Sequence, residues 1–576
     1  MRQGEARLSG PEEVITREII QSALAAVAEE MFATMRKTAM SSVIYEVLDF
    51  GVAVTDADGQ LASSGAGIPS FVGMLDPAVK AVIAKHGAAG FEDGDIFITN
   101  DPFGGGVSHL NDVALVKPVF FNGTVVAWTA NKGHWMDLGG MAPGGNSPDA
   151  EELHQEGLVF PEIRVFAGQE PLPGVLDVIA ANSRLPDQAL GDFWAGVSAL
   201  RMGARRIVQL CRRYGADSFL SAVRDYLDLG ERQVRRAVRC LPQGRFTATD
   251  SLDDGRPLQV AIEVDGGVFT VDLRGNPAQD PGPLNASYQA TLVTAQAMFK
   301  SLVCPEGVAN AGTFRPLRVM CDPGSLFAAE RPAAVGFYYE NKIRVSDLMW
   351  KALAPVLPEC PGVGHFCSVC ATMIGFTDAE GRLRSFIEPE VGGWGATAER
   401  DGQNAQFSSS HGHTYNCPVE VNEARNGVHV ERYALNPEPG GAGRLRGGRG
   451  IDLRYRLMHA SGWVTAAYAR SQVPPWALAG GGVGSVNRLS IIRRSGKVEN
   501  CLSASALPLE RGDVVRIQTG AGGGYGDPKR RRQAAVLRDL RDGYISAQEA
   551  LDTYGADPDA VQAELDRYHS SHSALA

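Results

Sequence analysis

The sequence predicts a multidomain α+β protein with a mixed α/β region at the N-terminus, a β-rich region towards the C-terminus and a helical tail. Three observations carry this. From Pro11 to about Met40, Ile19, Ile20, Leu24, Val27, Met31 and Met35 recur at three- and four-residue steps, the period of an amphipathic helix. Between Val113 and Trp128 an apolar run breaks at Asn122-Gly123, a pair that favours a two-residue hairpin turn. From Glu431 to Gly526 short strand-like segments alternate with glycine-dense turns. A chain of 576 residues exceeds one compact core. It divides into an N-terminal α/β domain with a candidate metal site (1–243), a mixed middle domain (244–430), a β- and glycine-rich domain (431–530) and a helical tail (531–576).

After the first helix, Val52-Ala53-Val54 runs into Asp56-Ala57-Asp58-Gly59, a hairpin turn returning through Gln60-Leu61-Ala62. Asp49 opens that strand inside Val47-Leu48-Asp49-Phe50. A carboxylate in such apolar company needs a partner, which a metal or a capping or ion-pair contact would provide. Residues 182–241 read as helical and close on the basic amphipathic stretch Gly230 to Cys240, and Pro242-Gln243-Gly244 marks a boundary. Strands follow at 246–249, 258–264 and 268–273, separated by Asp253-Asp254-Gly255 and Asp265-Gly266-Gly267, with a helix from about Ala286 to Val303. The tail from Arg531 onward is expected to be helical and exposed.

With 55 basic and 66 acidic residues the net charge is −11, which argues against a nucleic-acid binder. Lys529-Arg530-Arg531-Arg532 is short and abuts a helix, so a solvated face or subunit contact is expected there. The N-terminus opens polar, without the apolar core of a leader, and no apolar run approaches membrane-spanning length. Nine cysteines are sparse for this length and fit reduced thiols in the cytoplasm. Cys367 and Cys370 have CxxC spacing without a second pair, and are read as packed thiols. The chain has 67 glycines, yet its Gly496-Lys497 step continues into Val498 and forms no phosphate loop. No GxSxG serine elbow occurs either. The glycines are expected to allow tight turns and close backbone approach around a buried site.

Two His-x-x-Asp units flank the hairpin: Ser108-His109-Leu110-Asn111-Asp112 and Gly133-His134-Trp135-Met136-Asp137. A hairpin returns its flanks to one end, so His109, Asp112 and His134 can converge on a divalent metal, with Asp49 as a fourth ligand. The alternative is that both histidines hydrogen-bond within a glycine-rich turn. A second polar concentration runs from Glu388 to Glu423 and contains His411 and His413. It is open to three uses: a second metal site, a substrate contact or interface, or loop hydrogen bonding.

The series Glu46-Val47-Leu48-Asp49-Phe50, Asn100-Asp101-Pro102-Phe103 and the two His-x-x-Asp units resembles the hydantoinase B/oxoprolinase family. So do Gln155-Glu156-Gly157-Leu158, Asn182-Ser183-Arg184-Leu185-Pro186, Arg331-Pro332-Ala333-Ala334-Val335 and Gly441-Ala442-Gly443-Arg444-Leu445-Arg446-Gly447-Gly448. Gly522-Gly523-Gly524-Tyr525-Gly526-Asp527-Pro528 and Asp542-Gly543-Tyr544-Ile545-Ser546 extend the match, which is collinear from about residue 12 to 560. The chain carries Phe71 where many relatives have histidine, and Trp135 where hydantoinases often have a second histidine. The latter leans towards the carboxylase branch.

The resemblance implies an ATP-dependent hydrolase of cyclic amides (lactams or hydantoins), built with a hydantoinase A-type subunit that binds ATP and phosphorylates the substrate. It implies a metal held by Asp49, His109, Asp112 and His134, with zinc expected and manganese or iron as alternatives. Asp137 is a further ligand or a partner to an imidazole, and Asp137 or Glu46 is a candidate base. The alternatives are a subunit of an acetone- or acetophenone-type carboxylase, a metallohydrolase needing neither ATP nor partner, and a non-catalytic partner subunit without metal.

Overall fold

The computed structural model describes residues 11–573 except 88, 89, 308, 360, 361, 379, 410 and 413. The first helix spans Pro11–Thr38, as its periodicity requires. Seven strands then form an antiparallel sheet: β1 (Phe50–Asp56), β2 (Leu61–Ser64), β3 (Ile96–Thr99), β4 (Asp112–Phe121), β5 (Thr124–His134), β6 (Ile163–Ala167) and β7 (Glu170–Pro171). Their order is β2-β1-β5-β4-β3-β6-β7. Val52, Val54, Val113 and Leu115 face one core, against the helices Pro11–Thr38 and Pro186–Tyr214. The alternating Ala53, Ala114 and Val116 face another, under the helix Pro69–His86. Covered on both faces, β1 is buried at every residue, which is why Phe50 to Val54 run apolar without alternation.

The hairpin sets the site. Asn122 and Gly123 have φ of 50° and 79°, the turn geometry that matches strand twist. The register places Asp112 opposite His134, and the neighbouring β1 brings Phe50 opposite Gly133. His134 N donates to Asp49 O at 3.0 Å. Three adjacent strands thereby deliver Asp49, Asp112 and His134 to one end of the sheet.

A second sheet holds strands Gly244–Ser251, Pro257–Asp265, Val268–Asp272 and Leu317–Met320. The helix Tyr338–Leu353 packs on it, and every residue of that helix except Lys351 is buried. A third sheet pairs Leu383–Glu388 and Thr372–Thr377 with Ser461–Ala467 and Ser503–Glu510, so one sheet crosses the boundary expected at 430. A five-stranded sheet completes the β-rich region.

The glycine segments of that region pack backbone on backbone. Gly441 N donates to Gly522 O at 2.9 Å, Gly524 N to Gly482 O at 2.9 Å and Gly523 N to Gly364 O at 2.8 Å. A Cβ on Gly447 would lie 1.9 Å from Gly522 O. These glycines serve close backbone approach. The tail is helical at Gln533–Arg541, Ala547–Asp552 and Pro558–Ser573, with its own apolar cluster. One expectation is corrected there. Arg531 is 6% exposed and pairs with Asp401 and Asp539, both at 2.7 Å, so this part of the basic cluster anchors the tail. Cys367 and Cys370 are buried free thiols.

Candidate metal centre

Asp49, His109, Asp112 and His134 line one cavity of about 40 Å³. Leu48, just before Asp49, holds φ at 64°, a left-handed conformation that a β-carbon disfavours. The rings of His109 and His134 lie 5.2 Å apart, and His109 Nε2 is 3.5 Å from Asp112 Oδ1. Asp49 Oδ1, Asp112 Oδ1 and His134 Nδ1 are buried without hydrogen-bond partners. Such orphaned atoms are costly, and a divalent cation is a chemically apt partner for this mixed nitrogen–oxygen set. The residues therefore fit a metal.

The electrostatics follow from burial. Burial, reinforced by Asp112, pushes the Asp49 carboxyl up to about 8. Burial opposes ionisation of Asp112 too, but Lys132 and His109 outweigh it and hold that carboxyl well below its usual value. Burial and the neighbouring His109 bring His134 down to about 3, so its imidazole is neutral and able to ligate. The second oxygen of Asp112 is occupied: Lys132 Nζ donates at 2.9 Å, Ser108 Oγ donates, and Tyr338 OH approaches at 3.4 Å.

Lys132, Tyr338, Tyr339 and Lys342 are functional candidates missed by the sequence reading. Lys132 lies on β5 two residues before His134, is fully buried and stands 3.6 Å from the Phe71 ring centroid. Its signal was a lysine two residues before His134, on a strand buried from Val126 onward. Tyr338, Tyr339 and Lys342 come from the buried helix, whose polar residues gave no helical stripe to read. Phe71 itself lines the cavity, and so does His411, whose Nε2 is buried and unpartnered. His413 lies outside the described residues.

Neither candidate base reaches the cavity. Asp137 is 1% exposed and takes four donors: Gly139 N, Arg184 N, Gly144 N and Arg184 Nη1, at 3.0, 2.8, 2.8 and 3.0 Å. It ties the Gly139–Gly145 loop to Arg184. Glu46 lines a separate surface hollow with Arg36 and Asn416.

Among the described residues one trio, Asp347, His365 and Cys367, offers ligand atoms all within 4.8 Å of one another, which makes it a possible metal-binding group. The Asp49 quartet is wider. Yet Asp347 already pairs with Arg470 and accepts from Trp476 Nε1 at 3.1 Å, and burial pushes the Cys367 thiol up to about 12. A cation would enter beside a buried guanidinium and a protonated thiol. That chemistry suits a structural ion-pair network better than a metal.

A family model described as Hydantoinase B/oxoprolinase matches residues 13–528. The chain belongs to the hydantoinase B/oxoprolinase family. Caprolactamase subunit beta of Pseudomonas jessenii is 30% identical over 564 residues, covering 94% of this chain and 95% of that one. The crystal structure of ATP-dependent caprolactamase from Pseudomonas jessenii has a TM-score of 0.87 at 27% identity, covering 97% of this chain and all of the matched chain. Nucleotide-free acetone carboxylase has the same fold, with a TM-score of 0.87 at 17% identity over 98% of this chain and 84% of that chain. No helix among the described residues is long and apolar enough to cross a membrane.

Proposed function

We propose that this chain is the metal-bearing subunit of an ATP-dependent enzyme that hydrolyses a cyclic amide, with ATP handled by a hydantoinase A-type partner. The observation that carries it is the meeting of Asp49, His109, Asp112 and His134 at one cavity, with three ligand-type atoms left without hydrogen bonds. Those four residues would hold one divalent cation, with zinc expected and manganese or iron as alternatives. When bound, the cation supplies positive charge against a developing oxyanion and lowers the pKa of water. The relationship to caprolactamase subunit beta supports the substrate class.

The chain's own residues prepare the site. Lys132, Ser108 and Tyr338 engage Asp112 Oδ2, leaving Oδ1 towards the cavity. The carbonyl of Gly336 lies 3.3 Å from His109 Nδ1, a contact that favours the tautomer with Nδ1–H and leaves Nε2 as the donor to a metal. Phe71, Tyr338, Tyr339, Val369 and Ile387 wall the cavity and limit bulk water.

A carboxylase subunit is the second reading, favoured by Trp135 in place of a second histidine. Trp135 is 2% exposed and packs in the core outside the cavity lining. The discriminating experiment is co-expression with an A-type subunit, followed by gel filtration and an ATPase assay with caprolactam, hydantoin or 5-oxoproline. A parallel assay contains acetone or acetophenone with bicarbonate. The expected result is a co-eluting pair that consumes ATP with a cyclic amide, while the isolated chain neither binds nor hydrolyses ATP. ATP consumption with ketone and bicarbonate alone would favour the carboxylase. Amide hydrolysis by the isolated chain without ATP would contradict the partner requirement.

A further inference from the structure

The same cavity is lined by two further nitrogen-bearing side chains, Lys342 and His411. Lys342 is 2% exposed on the helix Tyr338–Leu353, its Nζ 5.0 Å from the Tyr338 ring centroid. His411 arrives from a different segment. Its backbone N donates to Ser408 O at 3.2 Å, its carbonyl accepts from Thr414 Oγ1 at 2.7 Å, and its ring lies 6.0 Å from that of Phe407. Its Nε2 is buried without a partner. Apart from Asp49, Asp112 and the imidazoles, the other lining residues are aromatic or aliphatic, and among the described residues no guanidinium lines the cavity.

A count of formal charge points to what belongs there. Of the two carboxylates that line the cavity, Asp112 already has a cation, Lys132, at 2.9 Å. A divalent cation bound by both carboxylates, with Lys132 beside them, leaves at least one positive charge in excess within a largely aromatic and aliphatic wall. Unbalanced buried charge is expensive, and an anion restores neutrality. An ammonium and an imidazole N–H are suitable donors to an anionic oxygen group.

We propose that Lys342 and His411 form an oxyanion subsite beside the metal ligands, binding a phosphoryl or carboxylate group. The proposal rests on the metal reading above and deepens it by naming the group presented to the site. In a cyclic-amide hydrolase that group is the phosphate of the ATP-activated substrate. In a carboxylase it is bicarbonate.

The test uses the full-length chain loaded with zinc, titrated calorimetrically with inorganic phosphate and, separately, with bicarbonate and acetate. One phosphate per chain is expected. Lys342→Gln and His411→Ala should each weaken it roughly 10–100-fold, while elemental analysis still finds one zinc. The two variants lie on different elements, so misfolding of one leaves the other informative. Bicarbonate or acetate binding more tightly than phosphate, with the same loss in both variants, would support the subsite and assign it to a carboxylate source. Zinc-loaded protein that binds none of the three anions, or variants that bind them as wild type does, would overturn the subsite alone. A chain that holds no zinc would overturn both the subsite and the metal reading.

Discussion

The Asp137→Asn substitution removes one negative charge from a carboxylate that is 1% exposed and accepts four hydrogen bonds. Three donors are backbone N–H groups and the fourth is the Arg184 guanidinium, whose side chain is 35% exposed. Asparagine keeps the shape but turns one acceptor into an NH₂ group. That group faces a donor on either side, Gly139 and Arg184 or Gly144 and Arg184. A lost charged hydrogen bond costs about 1.5–3 kcal/mol, and breaking a fully buried pair about 3–5 kcal/mol. Partial exposure of Arg184 tempers the second figure, so a net loss of roughly 2–4 kcal/mol is expected. Urea unfolding followed by fluorescence reads this as a lowered midpoint, and metal content should stay near the wild-type value in the folded protein. A variant with wild-type stability but abolished turnover would refute the structural role and restore Asp137 as an acid–base candidate.

Lys132→Met strands the buried carboxylate of Asp112 and should cost about 3–5 kcal/mol in urea unfolding; unchanged stability would mean the pair at 2.9 Å is not formed in solution. Glu156 is raised from 4.5 to about 8, chiefly by burial, so the folded state holds a proton that the unfolded state has released. Its contribution to stability therefore falls as pH rises from about 4.5 to about 8. Glu156→Gln should flatten that decline in unfolding free energies measured at pH 5 and pH 8, and an equally steep decline in the variant would count against the shift. Gly447→Ala drives a methyl group against a backbone carbonyl 1.9 Å away and should cost at least about 1–3 kcal/mol. Faster limited proteolysis of the β-rich region is the readout, and a wild-type digestion pattern would contradict the close packing.

The hairpin was legible because its signals agree: an apolar run, Asn122-Gly123 at the turn, and a histidine or aspartate at each open end. Once the turn is fixed, register follows, and with it the opposition of Asp112 and His134. The first helix was legible because Ile20, Leu24, Val27, Met31 and Met35 form a buried stripe, although Ile19, read as part of it, is 43% exposed. The helix Tyr338–Leu353 was not. Glu340, Lys342, Arg344 and Asp347 are all buried there, so charge no longer marks the outside and the helical stripe vanishes. Their partners, including Val369 N, Ser251 O and Arg470, are distant in sequence. Lys132 was hidden similarly, since it gains its meaning from Asp112 on the neighbouring strand, whereas His411 was visible as part of a polar cluster and only its place in the cavity wall was not. Asp137 shows the converse. Its His-x-x-Asp spacing repeats that of Asp112, but a loop of glycine N–H groups captures the carboxylate before it can reach the cavity.

The central claim is tested most directly by elemental analysis of the purified full-length chain and three variants: His109→Ala, His134→Ala and His365→Ala. One divalent ion per chain is predicted for the wild type, lost in the first two variants and retained in the third, because His365 belongs to the ion-pair network around Asp347 and Arg470. Metal retained in His109→Ala and His134→Ala but lost in His365→Ala would move the centre to Asp347, His365 and Cys367 and contradict the account.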